Sequence, residues 1–135
     1  MTTRAPAARS AAKAAPARAD DGGGSLHRNE VVLVGRLAAA AEERTLPSGD
    51  VMLSWRLVVD RPPAARSAER RTPTLDTLDC VAWRGDVQRS AGAWSVGDTV
   101  EVSGAMRRRF WRSPGGPVSR TEVEVLRARR VARAE

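Results

Sequence analysis

The chain has 135 residues, 23 of them basic and 16 acidic, for a net charge of +7. That is room for one domain plus a tail, and the basic balance points to a polyanionic partner, nucleic acid or an anionic surface. A single cysteine, Cys80, excludes an intramolecular disulfide and any CxxC or Cys/His zinc pattern. No apolar run is long enough to span a membrane, and the N-terminal arginines are followed by no apolar stretch of a secretory signal; a soluble cytoplasmic, nucleoid-associated protein is expected. Of the basic residues only Lys13 is a lysine. Arginine's planar fork suits phosphate and base faces, but GC-rich coding also produces arginine, so the usage alone decides little.

Residues 1–28 are rich in Ala, Arg, Pro and Gly and carry no apolar period, so they are expected to form a disordered arm. Residues 29–133 are expected to form the folded domain. Glu30–Leu37 is a β-branched run interrupted by Gly35, the mark of a bulge or sharp bend. Thr45–Asp50 is a turn cluster. In Val51–Val59 the residues Val51, Leu53, Trp55, Leu57 and Val59 alternate with Met52, Ser54, Arg56 and Val58, a strand with one buried face. Asp60–Thr74 holds three prolines and many charges, the pattern of a long mobile loop.

Thr77–Trp83 is the third strand, with Leu78, Cys80 and Ala82 on one face and Thr77, Asp79, Val81 and Trp83 on the other. A short helix fits within Gly85–Trp94, closed by the Val96-Gly97-Asp98 turn. Thr99–Trp111 is a long fourth strand with Gly104 in its middle. Ser113-Pro114-Gly115-Gly116 is a hairpin turn, and Val118–Val131 the returning fifth strand. Five strands with one short helix between the third and fourth is the order of an all-β OB-fold barrel, and Gly35 and Gly104 suit strands that bend around it. Periodicity by itself leaves other small barrels open.

Several stretches in colinear order narrow the choice. They are Asn29–Leu37, Arg44 with Pro47-Ser48-Gly49, Val96–Gly104 running into Ala105–Trp111, and Thr121–Val125. From Asn29 to Val131 the chain resembles the bacterial single-stranded-DNA-binding protein family. The resemblance implies a five-stranded OB barrel, binding of unpaired DNA without sequence specificity in replication, recombination or repair, and a homo-oligomer, tetramer or dimer. It implies no catalysis. The residues agree: His27, the only histidine, lies in the arm, and no phosphate-cradling Gly motif or suggestive carboxylate pair is present. No metal or other cofactor is expected.

Binding of this kind needs a basic track for phosphates and aromatic faces for bases. Arg107, Arg109 and Trp111, spaced by two, share one strand face, with Val102, Gly104 and Met106 on the inward one. Trp83 aligns with a stacking aromatic of the family, and Arg36, Arg44 and Arg56 fall at family positions near the phosphate path. These seven are the expected DNA contacts, while Trp55 and Trp94 are expected in the core. Arg66, Arg70 and Arg71 of the long loop could wrap DNA or simply be solvated. Two departures stand out: Thr77 replaces a family tryptophan, and Asp79 an arginine. The chain also stops at Glu135 without the family's acidic tail that recruits repair and replication partners, which points to an accessory paralogue. The rival reading is an OB module for RNA or a protein partner, since the fold serves several ligands.

Overall fold

The computed structural model describes residues 26–62 and 73–135. In chain order it contains β1 (Val31–Leu37), β2 (Glu42–Thr45), β3 (Val51–Asp60), β4 (Leu75–Ala82), α1 (Gly85–Gly92), β5 (Thr99–Ser113) and β6 (Gly116–Ala132). The sheet runs β1-β5-β6-β4-β3-β2, and an additional β1–β3 pairing closes five of these strands into a ring. All pairings are antiparallel except β4 with β6, where Cys80 lies beside Val123. This is the OB-fold barrel expected from the strand order, with the helix in the expected place.

Ring closure follows from the alternation in each strand. Leu53, Trp55 and Leu57 of β3 point inward, as do Cys80 and Ala82 of β4, Val100 and Val102 of β5, and Val123 and Val125 of β6. Removing these side chains from water drives closure at about 25 cal/mol per Å² of apolar surface. The helix plugs the barrel with Val87 and Ala91. Gln88 fastens it by donating from Nε2 to the carbonyls of Val51 and Ala82, both at 2.9 Å. Trp94, just past the helix, meets Trp55 edge-on, with ring centroids 5.5 Å apart. Both tryptophans assigned to the core are therefore in it.

Two glycines sit where the barrel admits no side chain. A Cβ at Gly35 would lie 2.6 Å from the Val58 carbonyl oxygen, one residue before β1, still paired with β5, takes β3 on its second edge. At Gly104 a Cβ would collide with the Glu124 carbonyl, and here the β5–β6 register slips by one residue. Both are the bends the sequence marks. The Ser95–Asp98 turn is locked to the end of β1: Leu37 N donates to Asp98 O and Gly97 N to Leu37 O, each at 2.9 Å. The Asp98 carboxylate, 2% exposed, accepts from Ser95 N and Ala134 N and faces Arg130. Those backbone N–H groups, with the arginine, hold its pKa below the usual carboxylate value.

Three features differ from the sequence reading. Glu42–Thr45 is a strand, β2, paired with the first half of β3. All four of its residues are exposed, so no apolar alternation could announce it. The hairpin strands run further than expected, to Ser113 and from Gly116, with Ser113 Oγ donating to Gly116 O across the turn. Met106, expected inward, is 43% exposed. The register does keep it on the inward row. But β1 leaves β5 at Gly104, and β4 pairs with β6 only at Val123 and Glu124. Beyond those points β5 and β6 project as a two-stranded ribbon, and the inward row of β5 has no core beneath it. The expected arm lies outside the described residues except for 26–28, and so do Arg66, Arg70 and Arg71. No helix of the described residues is long and apolar enough to cross a membrane.

Candidate nucleic-acid interface

The outward residues of β2, β3, β4, β6 and β5 form one continuous concave face. Register fixes its rows: Arg44 lies opposite Met52, Glu42 opposite Ser54, Ser54 opposite Val81, Arg56 opposite Asp79, and Val81 beside Glu124. On the ribbon, Arg107, Arg109 and Trp111 lie opposite Glu122, Arg120 and Val118 on this same face. A cleft of ≈ 670 Å³ opens here, and Arg44, Arg56, Arg109 and Arg120 are among its walls. Met52 and Val81 line it as well, although they are only 4% and 3% exposed.

Arg44, Arg56 and Arg109 of the expected contacts therefore line the cleft. Arg107 and Trp111 continue the same row of β5 on either side of Arg109. The Arg109 guanidinium stands 5.8 Å from the centre of the Trp111 ring, close enough for a cation–π contact that props the indole outward. Trp111 is 44% and Trp83 37% exposed. Trp83 follows the last residue of β4, at the other end of the face. The β4–β6 and β5–β6 registers separate the two indoles by about eight residues of strand, roughly 25 Å. Arg36 is not a cleft residue; it sits at the β1–β3 corner, paired with Asp60 at 3.2 Å.

The electrostatics of this face were not legible in the sequence. Arg56 binds Asp79 at 3.0 Å, and Arg120 reaches the same carboxylate at 3.2 Å. Arg107 holds Glu124 at 2.8 Å and Arg109 holds Glu122 at 3.1 Å. Of the five arginines expected to contact DNA, only Arg44 has no carboxylate partner among the described residues. The pairs of Arg36, Arg56, Arg107 and Arg120 are partly exposed and worth about 0–1 kcal/mol each, so an incoming phosphate can take those guanidiniums at little cost. Glu122, by contrast, is buried, and Arg109 stays beside it.

Two buried side-chain nitrogens among the described residues have no hydrogen-bond partner: Trp55 Nε1 and Arg109 Nε. Both residues line the cleft. Arg109 Nε has the Glu122 carboxylate near it but not in hydrogen-bond geometry. Buried donors without partners are uncommon in folded proteins. Cys80 also borders the cleft, but burial, together with the nearby Asp79 and Glu122 carboxylates, pushes its thiol up to about 12. It is an inert core residue rather than a nucleophile. Among the described residues no cluster of His, Cys, Asp or Glu could hold a metal ion.

A second cleft, ≈ 630 Å³, lies beside α1. Its arginines Arg84 and Arg129 are paired with Asp86 and Glu101 much as those of the concave face are paired, but it carries no aromatic side chain. The concave face is the better candidate.

Fold and face together define a class: an OB barrel presenting a long concave β-surface with exposed indoles at its ends and guanidiniums between them. The chain belongs to the single-strand binding protein family, whose model matches residues 28–131. It is similar to the single-stranded DNA-binding protein of Halalkalibacterium halodurans, 34% identical over 96 residues that cover 70% of this chain and 55% of that one. It is also similar to single-stranded DNA-binding protein A of Bacillus subtilis, 34% identical over 97 residues covering 71% and 55%. The chain thus spans about half the length of these relatives. Among solved structures, a "Plasmodium falciparum SSB complex with ssDNA" superposes with a TM-score of 0.64 at 18% identity, over 80% of this chain and 96% of the other, which shows the shared fold.

Proposed function

We propose that this protein binds single-stranded DNA along the concave face, without sequence specificity, and serves replication, recombination or repair by holding unpaired strands. Trp111 and Trp83 stack bases at the two ends. Arg44, Arg56, Arg107 and Arg109 take phosphates between them, and Arg36 takes one where the strand leaves past the β1–β3 corner. The observation that carries this reading is the half-exposed Trp111 on the Arg107–Arg109 row beside the arginine-lined cleft, with a second half-exposed indole, Trp83, just past the end of β4. Exposed tryptophans are costly for a surface with no partner, and each base stacked on one returns about 1–3 kcal/mol. The names of the relatives point the same way.

The direct test is tryptophan fluorescence during titration with an oligo-dT strand, repeated with duplex and at several salt concentrations. Strong quenching by the single strand, little by the duplex, and affinity that falls with salt are expected. Equal, weak and purely salt-driven responses to both would reduce the face to a generic basic surface. A tighter complex with an RNA strand of matched sequence would move the assignment to RNA.

The active unit in this reading is a homo-oligomer, a dimer or tetramer. Supporting this, β1 has no strand on its second edge from Val31 to Val34 among the described residues, and its outward Val32 and Val34 are 63% and 49% exposed.

A further inference from the structure

The ribbon formed by β5 and β6 beyond the barrel has two faces, and only one of them belongs to the concave surface. The other carries Met106, Arg108, Phe110 and Arg112, opposite Val123, Thr121, Ser119 and Pro117. Its chemistry differs from that of the near face. Phe110 is 73% exposed, more than either surface tryptophan. Arg108 and Arg112 flank it at a spacing of two, roughly 7 Å to each side. Neither has a carboxylate partner among the described residues, whereas Arg107 and Arg109 on the near face hold Glu124 and Glu122. The cross-strand neighbours of Arg108, Phe110 and Arg112 bear no charge.

We propose that Arg108, Phe110 and Arg112 form a second single-strand-binding surface on the far side of the ribbon, so that a long strand leaving Trp111 turns around the ribbon edge and is held on both faces. The proposal rests on the reading of the near face as a DNA surface and extends it to a separate set of residues. Three arguments select a strand as the occupant. An aromatic ring between two guanidiniums offers a base a stacking face and the flanking phosphates a cation each. Two arginines without carboxylate partners among the described residues favour a polyanion over a neutral or basic partner. A second copy of the same face would bring Arg108 and Arg112 against like charges, which excludes simple self-pairing. Position supplies continuity, since Phe110 is the chain neighbour of Trp111 and its ring projects to the opposite side.

Length dependence separates the two faces. An oligo-dT of about 10 nucleotides, within the site size of one OB barrel, fills the concave face alone, while one of about 40 reaches the far side as well. The Phe110→Ala variant is expected to bind the long strand at least about fivefold more weakly and the short one within about twofold of the parent. Arg108→Ser with Arg112→Ser should make the salt dependence shallower for the long strand only, by about 0.7 for each phosphate no longer neutralised. Trp111→Ala serves as the reference and weakens both. Because Phe110 is exposed and outside the core, the variants keep the parent's circular dichroism and melting temperature. Unchanged binding of the long strand by Phe110→Ala overturns the proposal. So does equal weakening of both lengths, which would fold Phe110 into the first site. A change in oligomer mass without a change in DNA affinity also overturns it, and would assign the face to a protein contact. Failure of the parent protein to bind either oligonucleotide is a different result; it removes the reading of the near face itself.

Discussion

Trp111 and Arg107 are the residues on which the proposed contact most depends, since one supplies a stacking face and the other a phosphate ligand on the same strand row. Replacing both with alanine is expected to weaken oligo-dT binding by more than about tenfold, read by fluorescence or filter binding. A reduction under about twofold would take these residues out of the site. Asp79 gives the opposite prediction. Its carboxylate sits between Arg56 and Arg120 and competes with phosphate for both. Asp79→Asn should therefore tighten binding at low salt by about 2–10-fold and steepen the salt dependence by up to about 0.7 per guanidinium released. Unchanged affinity would mean that neither arginine meets the strand. That Asp79 is a departure from the family pattern could be read in the sequence. That it neutralises two arginines on one face could not, because Arg56 and Arg120 reach it from strands far apart in the chain.

At the level of elements, the β5–β6 hairpin does two jobs separated at Gly104. Below it the strands close the barrel, and above it they project as the ribbon. Gly104→Ala would put a methyl group into the Glu124 carbonyl, side chain against backbone with no flexible neighbour to yield. The expected outcome is a decrease of about 1–3 kcal/mol in stability or failure to fold, read by thermal melting. A melting temperature close to the parent's would show that the bulge can relax. The turn that precedes β5 supplies a pH dependence. The Asp98 carboxylate has a lowered folded-state pKa, chiefly because Ser95 N and then Ala134 N donate to it. Its contribution is therefore complete above the unfolded-state value of about 3.9 and is lost as pH falls through the folded one. Melting followed downward from neutral pH should show stability declining below about pH 4, and Asp98→Asn should flatten that decline. A variant with the parent's acid profile would assign the decline to other carboxylates.

For the whole molecule, the ring uses β1 on one edge along its length but on the other only at Arg36 and Leu37. An open edge bearing exposed valines is a surface for pairing with another chain. Sedimentation at micromolar concentration is expected to give a dimer or tetramer, and Val34→Lys to shift it toward the monomer; a monomer for the parent would leave the edge as plain surface. In a homo-oligomer the projecting ribbons of several copies would offer a long strand more than one barrel to follow, consistent with a surface on both ribbon faces.

Local pattern alone was enough for much of this. Alternation placed Leu53, Trp55 and Leu57 on the inward face and Asp79 and Val81 on the opposite one, because side chains on a strand change face at every residue. It could not show that Val81, on the cleft side, is itself buried. Gly35 and Gly104 marked the bends, because only glycine admits the close backbone approach found at each. The colinear motifs carried the family. Strand β2 escaped, since four exposed residues carry no burial signal and their pairing depends on β3 lying alongside. The exposure of Met106 escaped for the same kind of reason: its row is inward, but the barrel has ended beneath it. Which arginines are neutralised, and which, like Arg108 and Arg112, are left open, depends on strand register and on the parallel pairing of β4 with β6. Those relations join residues tens of positions apart, so only the tertiary structure could decide them.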